Sequence, residues 1–315
     1  MSSIYAGVVG APVTPFKSNG AVDYDTFAKQ VNFLIENGVR LIAHPMHIGE
    51  SVNMTDAERK ELAKVLANAA GRRVPTFVHV SHAGTDLAID LAEHATKVGN
   101  TGVVMMAPYH WRSGPRAIIE HFTSVADAAG GELIVYNNPK AVNIDLGVEV
   151  LEKLIDRIPG FVAIKDATFH METFTDTCEL VARKGKPIAV YTGIEFLLTS
   201  MPVGGRGCFS ACSEVAPLLT QSLYQACATG AFAKAQPIQF KVRRLLKVVM
   251  HNYPATIKYA MELLDRPVGL TRRPIMPLTA EEKKWCKSEL TAMGIFDNEP
   301  QGWEVKRKPG RKSAN

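Results

Sequence analysis

The chain has 315 residues, 46% of them hydrophobic and 21% charged, an ordinary globular composition that is long enough to bury a large core without covalent staples. The net charge of +5 is mild and gathers toward Lys306, Arg307, Lys308, Arg311 and Lys312, which argues against a globally basic binding face. Five cysteines (Cys178, Cys208, Cys212, Cys227 and Cys286) without a CxxC pair exclude a disulfide scaffold and fit reduced thiols in a cytoplasmic protein. Cys208 and Cys212 lack a second ligand pair of zinc type. The first residues lack a signal-peptide pattern and no run of about 18 apolar residues occurs, so no membrane partner is expected.

Residues 6–14 are apolar and valine-rich and end at Pro15-Phe16, which predicts a strand and then a turn over 17–20. Asp23 can cap a helix reaching about residue 35, with Phe27, Val31 and Leu34 at helical spacing and Gly38 closing it. Residues 39–43 read as a short buried strand. Thr55 and Glu58 suit a capping box for a helix reaching about residue 70. The alternation then repeats, with strands at 75–80, 102–106, 133–136, 161–165, 188–192 and 207–210. Helices follow them at 85–97, 115–129, 147–155, 170–183, 195–201 and 214–228. Eight strand–helix units in succession predict an α/β fold, a (β/α)8 TIM barrel spanning residues 1–230. A doubly wound open sheet would want a glycine-rich phosphate turn after the first strand, and no GxGxxG follows it. Beyond residue 230 only helical patterns remain, at 233–250, 255–264 and 279–293, which predicts a C-terminal helical extension over 231–296. Residues 297–315 form a polar, basic tail expected to be mobile.

The stretch Phe161-Val162-Ala163-Ile164-Lys165-Asp166 carries the chemistry. Four apolar residues run without alternation, as in a strand covered on both faces, and a lysine stands where the strand should end. A lysine beside an apolar interior loses hydration in its charged form, so its pKa falls. The neutral amine is a nucleophile that can form a Schiff base with a keto group. The same pattern also fits a lysine that ends a buried strand and reaches out to water. In a barrel of this type the active site lies at the C-terminal ends of the strands. Those ends carry residues 44–51, His79 and His82, residues 108–112, Tyr136-Asn137-Asn138-Pro139, Lys165, Gly193, and Phe209-Ser210. An amine nucleophile and a phenol that can move protons therefore stand on adjacent strand ends.

Thr14-Pro15-Phe16, Gly49-Glu50-Ser51, Tyr136-Asn137-x-Pro139, Lys165-Asp166 and Gly204-Gly205-x-Gly207 fall in register with the predicted strand ends. With these motifs the chain, over about residues 5 to 295, resembles the pyruvate-dependent class I aldolase/lyase superfamily that contains N-acetylneuraminate lyase and dihydrodipicolinate synthase. The resemblance implies a Schiff-base lyase needing no metal or organic cofactor and working as a homo-oligomer, a tetramer. It implies Lys165 as the Schiff-base lysine and Tyr136 as the proton shuttle. The loop before Gly49 would hold the pyruvyl carboxylate, with His47 and Ile48 standing where the family has two small hydroxyl residues. His47 could replace a hydroxyl in the relay or simply bond its own loop. Gly193 and the carbonyl of Phe209 would complete the substrate contacts.

Two departures bear on substrate. Where dihydrodipicolinate synthases carry an arginine for the semialdehyde carboxylate this chain has Ala141, with Lys140 beside it. Where they bring in a tyrosine from a neighbouring subunit it has His110. Both argue against that synthase activity. A mouth with Met46, His110, Trp111 and Phe209 also departs from the hydroxyl-rich pocket of the sugar-acid branches. Tyr136-Asn137-Asn138-Pro139 resembles the Tyr-x-Asn-Pro of hydratase-aldolases that release pyruvate from benzylidenepyruvates; Asn138 matches their water-positioning asparagine. Trp111 could lie beside a substrate ring or cap the barrel at a subunit contact. The expectation is a lyase acting on an aryl- or alkyl-substituted 2-oxo acid, with a 2-keto-3-deoxy sugar acid aldolase or dehydratase as the alternative. A metal-dependent barrel hydrolase built on His44, His47, His79, His82 and His110 would want an HxH pair on the first strand, which has no histidine. A non-enzymatic protein touching nucleic acid phosphates through residues 306–312 competes with a solvated tail.

Overall fold

The computed structural model describes residues 5–304. Eight parallel strands close a barrel in sequence order: β1 (Gly7–Gly10), β2 (Leu41–His44), β3 (Thr76–His79), β4 (Gly102–Met105), β5 (Glu132–Asn137), β6 (Phe161–Asp166), β7 (Ala189–Thr192) and β8 (Gly207–Ser210). Between them run α1 (Tyr24–Glu36), α2 (Asp56–Ala70), α3 (Thr85–Lys97), α4 (Pro115–Ala129), the single turn α5 (Pro139–Val142), α6 (Val148–Arg157), α7 (Met171–Lys184) and the short α8 (Leu197–Ser200). α9 (Pro217–Ala228) follows β8 and completes the barrel, and after it come α10 (Phe232–Val249), α11 (Ala255–Glu262), α12 (Ala280–Ala292) and α13 (Ile295–Asn298). This is the (β/α)8 TIM barrel that the sequence predicts.

Local signals set most boundaries. The Asp23 carboxylate accepts the Thr26 amide and starts α1, and Thr55 and Glu58 form the reciprocal capping box of α2. β1 is shorter than predicted. Pro12 and Pro15 have no N–H for the ladder, so residues 11–14 run buried but unpaired to the rim and deliver Thr14 there. Closure between β1 and β8 depends on Gly207, where an added Cβ would stand 1.8 Å from the Gly7 carbonyl oxygen. In the parallel ladder Tyr136 is paired with Lys165, and Lys165 with Tyr191, so the tyrosine and lysine side chains leave the same face of the sheet at the same height.

The tail begins later than the composition suggests. Among residues 297–304, Glu299 is buried and accepts the Leu218 and Leu219 amides that open α9. Trp303 packs edge-on against Phe33 at 6.0 Å. The polar look of this segment comes from groups that cap a helix and bond Arg266, not from free chain. The basic run 306–312 lies outside the described residues. Among those described, no helix is long and apolar enough to cross a membrane.

Arg266 and Glu214 give this region a pH dependence. Arg266 is fully buried, donates to the Glu214 and Val215 carbonyls and stacks on Phe33 at 4.3 Å. Burial pushes the Glu214 carboxyl up to about 8, and Arg266 and Gln30 offset only part of that. The unfolded carboxyl titrates near 4.3, so the folded state holds the extra proton. Stability from this group is complete below the unfolded pKa and is lost as pH rises toward 8. Burial pushes Glu299 up to about 7, and it acts in the same direction. Glu214→Gln mimics the protonated form, so its melting temperature is expected to fall less than that of the wild type between pH 5.5 and 8.5. Parallel falls in thermal scans would show that Glu214 is ionised throughout.

Candidate active site

Lys165 reaches the mouth from the end of β6 with 6% of its surface exposed. Its Nζ lies 3.9 Å from the centre of the Tyr136 ring and 4.5 Å from that of Phe209. These rings replace water around the amine, and burial brings its pKa down to about 7. About half of the protein then carries a free amine at neutral pH.

The Tyr136 hydroxyl is held from two sides. Asn138 Nδ2 donates to it at 2.8 Å, and His47 Nδ1 lies 3.2 Å away. Burial raises the phenol above its usual range, with the Asn138 bond working weakly against it. Burial, and then the nearby Lys165, bring His47 down to about 4, so its imidazole is neutral at pH 7. If the phenol donates its proton to His47 Nδ1, the His47 proton lies on Nε2.

The β2–α2 loop carries His47. Gly49 N–H is used inside the turn, donating to the Met46 carbonyl at 3.0 Å, and Glu50 N–H donates to the His47 carbonyl at 3.0 Å. The Met46, His47 and Ile48 N–H groups make no such bond among the described residues. Gly49 sits against His44, where an added Cβ would stand 3.0 Å from Nε2. Thr14 Oγ1 donates to the Gly49 carbonyl at 2.5 Å and lies 3.0 Å from His44 Nε2, which fixes the turn from below. The next residue, Glu50, has a left-handed backbone at φ 56°. Its carboxylate is buried against Lys258 of α11 at 2.7 Å and accepts the Arg272 amide at 2.8 Å. The segment after the barrel thus braces the loop that carries His47.

Sequence reasoning brought Lys165, Tyr136, His47, Asn138 and Phe209 together, and all five meet here. Gly193 stands at the end of β7, where an added Cβ would come within 2.8 Å of the Ala167 Cβ, so the β6 and β7 loops touch there. His110 and Trp111 do not join the cluster. His110 has a left-handed backbone at φ 77°, the two exposed rings contact each other at 5.0 Å, and Trp111 is 63% exposed. Met46 is buried beneath the loop.

Three neighbours were not singled out for the lyase. His79 lies 6.2 Å from the Tyr136 ring and 6.5 Å from the His47 ring, and its Nε2 lies 2.8 Å from the Ser81 hydroxyl. Glu195 is fully buried, accepts the Ser210 hydroxyl and the Cys212 amide, and so ties the β7 loop to the end of β8. Tyr253, between α10 and α11, faces Tyr136 and Glu195, and burial raises its hydroxyl well above the usual range. Among the described residues no group of three or more His, Cys, Asp or Glu side chains is placed to hold a metal ion.

The sequence model of the Dihydrodipicolinate synthetase family matches residues 4–293. The chain belongs to that family. The Dihydrodipicolinate synthetase family is one of Schiff-base-forming lyases, so this chain is an enzyme of that class. Among its relatives is the 4-hydroxy-tetrahydrodipicolinate synthase of Bartonella tribocorum, 31% identical over 292 residues, with 92% of this chain and 98% of that protein covered. The synthase of the same name from Brucella abortus is 32% identical over 276 residues, covering 87% and 93%. Among family structures, YagE, a prophage protein of Escherichia coli K12 solved in complex with pyruvate, superposes with a TM-score of 0.88 at 26% identity, covering 92% and 99%. Dihydrodipicolinate synthase DapA-2 of Bacillus anthracis superposes with a TM-score of 0.87 at 30% identity, covering 91% and 98%.

Proposed function

We propose that this lyase is a hydratase-aldolase that releases pyruvate from an aryl- or alkyl-substituted 2-oxo acid. The observation that carries the reading is the Asn138 amide bonded at 2.8 Å to the Tyr136 hydroxyl beside a desolvated Lys165. Lys165 Nζ attacks the keto carbon, Tyr136 moves protons for loss of water, and the protonated imine withdraws electrons along the conjugated chain. Water held by Asn138 adds its oxygen to the far carbon of the double bond and a proton goes to the near carbon, which leaves a hydroxyl and restores the protonated imine. Tyr136 takes the proton of that hydroxyl, the C–C bond breaks, and an aldehyde leaves. The remaining enamine takes a proton and is hydrolysed to pyruvate and free Lys165. The Ile48 amide and the turn before Gly49 hold the carboxylate throughout. By resemblance the protein works as a homotetramer.

The names of the relatives favour a second reading, condensation of pyruvate with a semialdehyde carrying a carboxylate. Ala141, exposed at the start of the β5–α6 segment, offers no cation to that carboxylate. Turnover of a benzylidenepyruvate to pyruvate and aldehyde, with Asn138→Ala losing about tenfold in kcat through one lost hydrogen bond to a reacting group, supports the hydratase-aldolase. Condensation with aspartate semialdehyde, or turnover of 2-keto-3-deoxy sugar acids alone, would overturn it.

A further inference from the structure

Three consecutive loops meet on the substrate side of the barrel, after β5, β6 and β7, the strands that carry Tyr136, Lys165 and, just past its end, Gly193. They bring together side chains that neither the barrel core nor the Schiff-base step uses. Phe169, four residues past Lys165, has a left-handed backbone at φ 62° and is nonetheless 47% exposed. An aromatic residue adopts that backbone only at a cost, and half-exposed burial does little to offset it. Its ring meets Phe196 edge-on at 6.1 Å. On the other side Lys140, exposed on α5, holds its Nζ 5.6 Å from the centre of the Phe169 ring. Among the described residues Lys140 has no carboxylate within ion-pair distance. The close approach of Gly193 to Ala167 holds the two phenylalanine loops side by side.

We propose that Phe169, Phe196 and Lys140 form a distal subsite for a flat apolar group that bears an anion, so that the substrate is an aryl-substituted 2-oxo acid with a carboxylate on its ring. This rests on the hydratase-aldolase reading and narrows it. A ring entering from the imine stacks on or against the two phenylalanines, which prefer offset or edge contacts. The unpaired ammonium then meets the ring's anion, where a charge-assisted hydrogen bond forms in partly dried surroundings. Lys140 thus supplies a cation one residue from Ala141, but directed toward an aromatic wall, which suits an aryl acid better than a short aliphatic one.

The test compares kcat/KM for benzylidenepyruvate and for its 2-carboxy and 4-carboxy derivatives, with borohydride trapping of pyruvate on the wild type run alongside. The expected result is a preference of about tenfold for a carboxylated acid, worth one charge-assisted hydrogen bond. The preference falls to near unity in Lys140→Met and is kept in Lys140→Arg. In Phe169→Gly turnover of all three aryl acids falls. Equal turnover of the three acids by a wild type that traps pyruvate overturns the subsite and leaves the lyase intact. A preference that survives Lys140→Met also overturns it. Sedimentation decides against the competing occupant: if Phe169→Gly dissociates an oligomer and leaves the preference unchanged, the patch is a contact between copies of the chain. Failure of the wild type to trap pyruvate or to turn over any aryl acid overturns the underlying reading instead.

Discussion

Lys165→Ala is expected to abolish borohydride trapping of pyruvate and to lower kcat/KM by at least about 10⁴-fold, the scale on which loss of a covalent nucleophile acts. In the wild type the trapped mass should sit on the peptide containing Lys165. The pH dependence tests the cause of its reactivity. With its pKa brought down to about 7 by burial, the rate of trapping should rise through pH 6 and level off above about pH 7.5. A rate still climbing through pH 9 would show an ordinary solvated lysine. The same desolvation has a stability cost. Between the folded value and the unfolded value near 10.4 the unfolded chain binds the extra proton, so stability rises with pH across that window. Lys165→Met should therefore stabilise the inactive protein at pH 7 by on the order of 3 kcal/mol, a gain that shrinks as pH approaches 10. A variant no more stable than the wild type at pH 7 would mean that the rings of Tyr136 and Phe209 compensate the charged amine better than burial suggests.

The barrel was legible because its signals are local and repeat. Capping residues such as Asp23 and Thr55, and apolar runs too short for helices, recur often enough to define eight units. The placement of Lys165 and Tyr136 at one mouth followed from one topological rule, since parallel strands put chemistry at their C-terminal ends, while their roles came from the family resemblance; the ladder sets the two residues level. The rim was less legible. His110 and Trp111 follow a strand end just as Asn138 does, but both side chains stand exposed beyond a left-handed residue, and no spacing announces that. Contacts between distant segments were hidden for the same reason: the Glu50–Lys258 pair, the Glu299 cap on α9 and the Phe169–Phe196 edge contact arise only once the barrel is closed. Glu195 reads as a lone acid in an apolar stretch; only the fold supplies the Ser210 hydroxyl and Cys212 amide that justify its burial.

Tyr136→Phe is expected to lower kcat by about 10³-fold, within the range for a positioned acid–base group, while a pyruvate adduct on Lys165 still forms, slowly. The substitution keeps the ring against which Lys165 is desolvated, 3.9 Å from its Nζ, and removes only the hydroxyl. The pH midpoint for trapping should therefore stay near 7 while the plateau falls. Neither neighbour can take over. Asn138 donates to the phenol and does not exchange its proton, and His47, brought down to about 4, is neutral at pH 7 and holds no proton of useful acidity. In the proposed mechanism the phenol, kept protonated by burial, is the one group against Lys165 among the described residues that can give a proton to the departing carbinolamine oxygen and take one back from the substrate hydroxyl. His47→Asn should cost only about tenfold, because it removes an acceptor that orients the phenol proton and not the proton itself. If the two variants lose rate equally, the imidazole and the phenol act as one relay, and proton transfer runs through His47 to the loop that holds the carboxylate. If Tyr136→Phe loses less than tenfold, water performs the transfer, and the enclosed placement of the hydroxyl between Asn138 and His47 serves to exclude solvent from the imine rather than to move its protons.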